Sequence, residues 1–300
     1  MIGKKLLSFL VTLVSALLLL VQASCEKFSG DQTIPAYLRI DSIFLTTDYI
    51  YQGTASQAIT DSWVYVDDEL IGVFENPCDV PVLKQGTHKV VVYAGIKKNG
   101  IATTRTAYLF YEPITRNVNF VPDSTVSLHT LSTTYEATTD FLWKEDFEDI
   151  AVSLDTTPKS LVPLQETPIG SPLTFEGQHS GLATMTDSLD FFECATHSFF
   201  AVPNSPVYLE MNFRTNNSLT VGVYVVQSTF LYQVPIITLF PTNGKWKKIY
   251  IDLSNTLGSY LGATGFKVYL GTYKDAGVAS PEILLDNFKL VTQSSSKKNL

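Results

Sequence analysis

From Pro35 to Val291 the chain is a succession of short extended segments separated by turn residues, and no window carries a sustained 3.6-residue apolar period with capping residues. That pattern restricts the fold to all-β architectures. Trp63-Val64-Tyr65-Val66 and Leu70-Ile71-Gly72-Val73-Phe74 flank Asp67-Asp68, which reads as strand, acidic turn, strand. His88 to Tyr93 is a β-branched run opened by Gln85-Gly86, and Asn99-Gly100 is a strong hairpin signal joining Tyr93–Lys98 to Ile101–Tyr111. Tyr37 to Phe44 alternates, with Leu38, Ile40 and Ser42 on one side and Tyr37, Arg39, Asp41 and Ile43 on the other. From Phe141 the strands lengthen and become more apolar: Val207–Phe213, Leu219–Val226, Leu231–Phe240, Lys247–Leu253, Gly265–Leu270 and Ile283–Val291. Ser254 to Gly262 reads as one short helical turn.

This spacing, with Gly, Asn and Pro between strands, predicts two β-sandwich domains, at 35–122 and 141–293. The Ser/Thr-rich span 123–140 reads as a connector, with Thr125–Leu131 alternatively a last strand of the first domain. The residues 294–300 read as a frayed tail. A length of 300 residues suits two domains, at roughly 100–200 residues each. With 45% hydrophobic residues the chain can fill two cores, and a net charge of −8 argues against nucleic acid, which needs a basic field.

Residues 1–24 have the pattern of a secretory signal peptide: Lys4 and Lys5, then the uncharged run Leu6 to Val21, then Ala23 and Ser24. The competing reading is a retained membrane helix, which needs ~20 apolar residues. Removing Lys4 and Lys5 leaves 19 basic against 29 acidic side chains, a charge of −10. Val21-Gln22-Ala23-Ser24-Cys25 resembles a bacterial lipobox, although Gln22 stands where an aliphatic residue is usual. The resemblance implies that Cys25 becomes the acylated first residue, followed by a polar tether over 25–34. Several acyl chains on one cysteine would supply stable anchoring.

Two further resemblances cover the domains. "VYVDDELIG" followed by "PVLKQGTHKVVVY", within Val64 to Tyr93, resembles a PEGA-type β-sandwich, an Ig-like fold found in envelope proteins and without catalytic residues. Trp143 to Val291 resembles the galactose-binding jelly roll of many carbohydrate-binding modules. Four pieces carry that likeness: Glu145-Asp146-Phe147-Glu148-Asp149, Glu176-Gly177-Gln178-His179-Ser180-Gly181, Lys245 to Asp252, and Leu285-Asp286-Asn287-Phe288. It implies one structural calcium ion held by Glu148, Asp286 and the turn at Gln178–Ser180 around His179, stapling first strand to last. Read from the residues alone, Glu145 to Asp149 is equally a solvated acidic loop.

Catalytic constellations are missing from the sequence: it has no Gly-x-Ser-x-Gly, His-Glu-x-x-His, Cys-x-x-Cys or phosphate-cradling loop. His88, His129, His179 and His197 read as structural or exposed, and Cys78 and Cys194 as two buried free thiols, with an interdomain disulfide as the alternative. Trp63, Trp143 and Trp246 read as packing residues, while Tyr224, Tyr232, Tyr260 and Tyr273 are candidates for an exposed face. Asp41-Ser42-Ile43 and Asp187-Ser188-Leu189 resemble the O-glycosylation acceptor of Bacteroidota.

As a whole the chain resembles a group of Bacteroidota outer-membrane lipoproteins. The resemblance implies a non-enzymatic, surface-exposed binding module, anchored in the outer membrane and serving as an accessory subunit of a β-barrel assembly or nutrient-import complex. The alternative is a surface glycan-binding lipoprotein, which a shallow groove lined by two or more exposed aromatics would favour. Apart from the calcium ion, no cofactor is expected.

Overall fold

The structure, a computed structural model, describes residues 34–294. The leader, Cys25, the tether as far as residue 33 and the tail from residue 295 lie outside the described residues. No helix among the described residues is long and apolar enough to cross a membrane.

The first lobe is a small β-sandwich. One layer contains β3 (Asp61–Val66), β4 (Glu69–Glu75), β6 (Gly86–Lys97), β7 (Arg105–Ala107) and β8 (Ile114–Phe120), ordered β4-β3-β6-β7 with β8 also on β6. The facing layer contains β5 (Cys78–Val82), β1 (Ala36–Ile40) and β9 (Thr125–Ser127), with β2 (Ser42–Leu45) paired to β10 (Thr130–Thr133) beside them. Period-2 alternation places Leu38, Ile40, Val64, Val66, Val80, Val82, Val90 and Val92 in the shared core. The β3–β4 turn forms because Asp67 and Asp68 take φ of 50° and 65°, the left-handed pair that matches strand twist.

Three readings change in this lobe. The alternation over 37–44 breaks at Asp41: β1 buries Leu38 and Ile40, while β2 buries Ile43 and Leu45, so Ile43 faces the core. Trp63 stands on the outer face, half-buried, because its neighbours Val64 and Val66 take the inward positions. Within 123–140, β9 and β10 pair in parallel with β1 and β2, completing the sandwich.

The second lobe is a jelly-roll sandwich of two antiparallel sheets. The six-stranded sheet runs β13 (Gln165–Glu166), β14 (Gly181–Thr184), β21 (Glu282–Gln293), β16 (Val207–Thr215), β19 (Lys247–Asp252), with β11 (Thr139–Glu145) also on β21. The five-stranded sheet runs β12 (Leu154–Thr156), β15 (Phe191–Thr196), β20 (Ala263–Tyr273), β17 (Leu219–Gln227), β18 (Phe230–Leu239). Leu209, Met211, Val221, Val223, Ile251, Val268, Leu270, Leu285 and Leu290 fill the space between. The helices are short: α1 (Tyr49–Gln52), capped by Asp48, and α2 (Ser254–Ser259), where the helical turn was expected.

The lobes meet on the outer face of the six-stranded sheet. Tyr208, Glu210, Tyr250, Lys289 and Val291 project outward there and are buried under the first lobe. Glu210 accepts hydrogen bonds from Tyr108 Oη at 2.9 Å and Tyr135 Oη at 2.9 and 3.0 Å, and Lys248 Nζ lies 3.4 Å away. Edge-to-face rings of Tyr108 against Tyr111, Tyr208 and Tyr250, at 4.7, 5.5 and 4.9 Å, seal the polar centre. The Asn99-Gly100 hairpin tip reaches the second lobe, Asn99 N donating to Tyr250 O at 2.8 Å. Two sandwiches therefore share one buried interface instead of hanging on a linker.

Candidate functional site

A groove of about 820 Å³ opens between the lobes, within the usual size of ligand pockets. The first lobe supplies Gln57 and Ala58 from the segment before β3, and Asn99, Gly100 and Ile101 from the β6–β7 hairpin. The second lobe supplies Asn212 on β16 and the aromatics Phe175, Phe240 and Trp246. Chain turns set those rings. Phe240 follows the end of β18 and precedes Pro241, and Asn243 and Gly244, at φ of 54° and 73°, reverse the chain so that Trp246 leads into β19. Phe175 comes from the loop before Gly177 and packs on Trp246 with ring centroids 5.1 Å apart.

These rings are accessible: Phe240 is 71% and Phe175 37% exposed, and Trp246 is half-buried. The Trp246 Nε1 donor is buried without a hydrogen-bond partner. Leaving a buried donor unpaired is costly, of order 1–3 kcal/mol. Among the described residues no carboxylate lines the groove, so it holds no acid–base pair for hydrolysis. What it can do is stack a flat apolar face and donate hydrogen bonds at its edges.

Of the four tyrosine candidates, Tyr224 is buried. It lies on the outer face of the five-stranded sheet with Tyr269, ring centroids 5.0 Å apart. Glu193, 2% exposed, accepts from Tyr224 Oη at 2.7 Å, Thr157 Oγ1 at 2.8 Å and Gln233 Nε2 at 2.6 Å. Lys159 covers the cluster, donating to Gln233 Oε1 at 2.9 Å and sitting 5.4 Å from the Tyr224 ring centre. That face spends its polar groups on itself. Tyr232, Tyr260 and Tyr273 are partly or well exposed but lie outside the groove.

The predicted calcium residues gather in one place, but as hydrogen-bond partners. Glu148 Oε1 accepts from the backbone N–H of Gln178 at 2.7 Å and of His179 at 3.0 Å. His179 Nδ1 lies 2.6 Å from Thr167 O. Asp286 accepts from Ser180 Oγ at 2.5 Å and Asn287 N at 2.7 Å, and burial pushes its carboxyl up to about 7. Calcium needs converging oxygens, whereas amide hydrogens point at Glu148 here. Glu148, His179 and Asp286 thus each spend a side-chain atom on hydrogen bonds within the chain, and among the described residues no three His, Cys, Asp or Glu side chains are grouped to hold a metal. These hydrogen bonds tie Glu148 and Asp286 to the Gln178–Ser180 turn.

The other residues singled out are in structural settings. His88 is 2.6 Å from Asp67 and 2.9 Å from Gln85 O, contacts that raise its pKa, the Gln85 carbonyl most. His197 pairs with Asp155 at 3.0 Å, and His129 is exposed. Cys78 and Cys194 are buried and unpaired. The reading of Trp246 as packing was incomplete, and Phe175 and Phe240 were not singled out. The available signal was aromatics flanking the Pro241 to Gly244 turn.

No protein-family model matches the chain, and no curated protein matches it. Among solved structures it is similar to the C-terminal family 22 carbohydrate-binding module of Clostridium thermocellum Xyn10B, with TM-score 0.36 and 14% identity over 52% of this chain and 96% of that one. It is similar to the CBM22-2 xylan-binding domain from Paenibacillus barcinonensis Xyn10C, with TM-score 0.36 and 18% identity over 51% of this chain and 99% of that one. A carbohydrate-binding module of the β-sandwich superfamily gives TM-score 0.37 and 11% identity over 77% of this chain and 84% of that one.

Proposed function

We propose that the protein is a non-catalytic glycan-binding lipoprotein whose ligand lies in the groove between the lobes. The observation that carries this reading is the row of accessible rings, Phe175 and Phe240 with half-buried Trp246, along one wall of the groove. Sugar rings present an apolar face for stacking and hydroxyl oxygens for the donors. Acylation of Cys25 and a surface address at the outer membrane belong to the same proposal, on the lipobox resemblance. The test is titration of the purified chain with a glycan array. Saturable binding that Trp246→Ala weakens at least tenfold supports the reading, and an array without hits overturns it.

A second reading, an accessory subunit of an outer-membrane protein complex, has one observation of its own. Phe230, Leu231 and Tyr232 at the β17–β18 hairpin are exposed, as is Leu261. Clustered exposed apolar residues mark interaction surfaces. Affinity purification from membranes tests it: stoichiometric partners lost in Phe230→Ser/Leu231→Ser support it, and recovery of the protein alone counts against it.

A further inference from the structure

We infer that the groove continues into an acidic pocket that takes the ammonium group of an amino sugar, so that the ligand is a glycan with free amines; the inference rests on the glycan reading above. The same two chain segments line both cavities. Ser56, Gln57 and Ala58 line the groove, while Thr54 and Ala55 line a second cavity of about 240 Å³. On the other lobe Phe175 lines the groove, while Glu176 and Gly177 line the second cavity. A sugar ring stacked on Phe175 therefore lies next to that cavity.

Three carboxylates, Asp146, Glu148 and Glu176, line the second cavity, and among the described residues no Lys or Arg does. None of the three is ion-paired among the described residues. The lysines nearby are committed elsewhere: Lys144 Nζ donates to Ile50 O at 2.7 Å, Lys289 Nζ to Thr54 O at 2.6 Å, and Lys248 pairs with Glu210 at 3.4 Å. A cleft lined by one sign of charge draws in the opposite sign. A second observation points the same way. Asn287 is 2% exposed and lines the cavity; its Nδ2 donates to Glu176 Oε2 at 2.8 Å, and its Oδ1 is buried without a partner. Several oxygens here are already used: Glu148 Oε1 by the Gln178 and His179 amides, Asp146 Oδ2 by Tyr49 Oη at 2.7 Å, and Glu176 Oε2 by Asn287. One oxygen each on Glu148, Glu176 and Asn287 is left without a hydrogen bond among the described residues, which matches the three N–H donors of a primary ammonium. The charge-assisted bonds so formed are the strong ones, and a neutral hydroxyl or acetamide brings no charge to the site.

The experiment titrates the full chain, purified in detergent, at pH 5.5 against the glucosamine hexamer, the N-acetylglucosamine hexamer and cellohexaose, which share linkage and ring faces and differ in one substituent. The glucosamine hexamer is expected to bind at least tenfold tighter than the other two. Glu176→Gln, at an exposed position and still able to accept from Asn287, should weaken that binding roughly fivefold or more and leave cellohexaose unaffected. Arg116→Gln, on β8 and outside both cavities, should change neither. Equal binding of the three hexamers, with Glu176→Gln unaffected and Trp246→Ala defective, overturns the amine inference and leaves the glycan reading standing. Binding of none of them overturns the amine inference, and the glycan array then decides the glycan reading separately. Calcium chloride alone is the last titrant: calcium that displaces the glucosamine hexamer and binds more weakly to Glu176→Gln assigns the pocket to a metal ion and overturns the inference.

Discussion

Glu210→Gln is the sharpest test of how the lobes are joined. Glu210 is fully buried on β16, and its carboxylate faces Lys248 on β19, Lys289 on β21, and the hydroxyls of Tyr108 and Tyr135 from the first lobe. The substitution keeps shape and one acceptor but removes the anion that most offsets the burial of two lysines. Breaking a buried ion pair from one side costs about 3–5 kcal/mol. For a protein of this size that corresponds to roughly 6–20 °C in melting temperature. The loss depends on pH. Burial lowers Lys248, and it lowers Lys289 from its ordinary 10.5 to about 7 even with Glu210 present. A lysine so depressed binds fewer protons folded than unfolded between about pH 7 and 10.5, so stability rises across that window. Without Glu210 the lysines are depressed further and the rise begins at lower pH. The variant should therefore be most destabilised near pH 6 and recover part of the loss by pH 9. Urea unfolding of both proteins at pH 6, 7.5 and 9 measures this. A difference below about 1 kcal/mol that is flat with pH would refute the claim that Glu210 compensates buried charge.

Further outcomes follow from single contacts. Gly177 has φ of +70°, and a Cβ there would sit 2.3 Å from Glu148 Oε1, so Gly177→Ala should cost roughly 1–3 kcal/mol in denaturant unfolding; a change within 0.5 would show that the turn is not pinned by Glu148. Because Glu148 and Asp286 are held to the Gln178–Ser180 turn by hydrogen bonds, EDTA should leave the melting temperature unchanged, and a fall of several degrees reversed by calcium would show that an ion is held there instead. Cys194 is fully buried and burial raises its pKa, so a thiol reagent should leave it unmodified until the protein unfolds. Fast modification of Cys194 under native conditions would show that the jelly-roll core opens.

What could be read from the sequence was set by local pattern. β17, β19 and β21 were visible because β-branched and apolar residues in Leu219–Val226, Lys247–Leu253 and Ile283–Val291 are dense enough to mark strands. The β3–β4 turn and the β6–β7 hairpin were visible in Asp67-Asp68 and Asn99-Gly100, whose left-handed conformations leave a chemical mark. β9 was legible only as the alternative strand at Thr125–Leu131, and β12 to β15 were obscure because strands of 2–6 residues owe their pairing to distant partners more than to their own composition. Nothing in the sequence marks Glu210, Lys248 and Lys289 as buried: the first lobe, with Tyr108 and Tyr135, covers them. The groove was illegible for the same reason: Gln57, Asn99, Phe175, Asn212 and Trp246 are brought together by topology, with no spacing motif to announce it. The calcium resemblance pointed to residues that do gather, Glu148, His179 and Asp286, but their hydrogen-bond partners were out of reach of the sequence, which shows carboxylates and not which backbone atoms face them.

The most direct test of the central claim is a hydrogen-exchange footprint of the full chain with and without the tightest-binding glycan of the array. The account predicts new protection at residues 97–101 and 240–248, on both walls of the groove, with the outer face around Tyr224 and Glu193 unchanged. Protection confined to that outer face, or to the Phe230–Tyr232 hairpin, would contradict it.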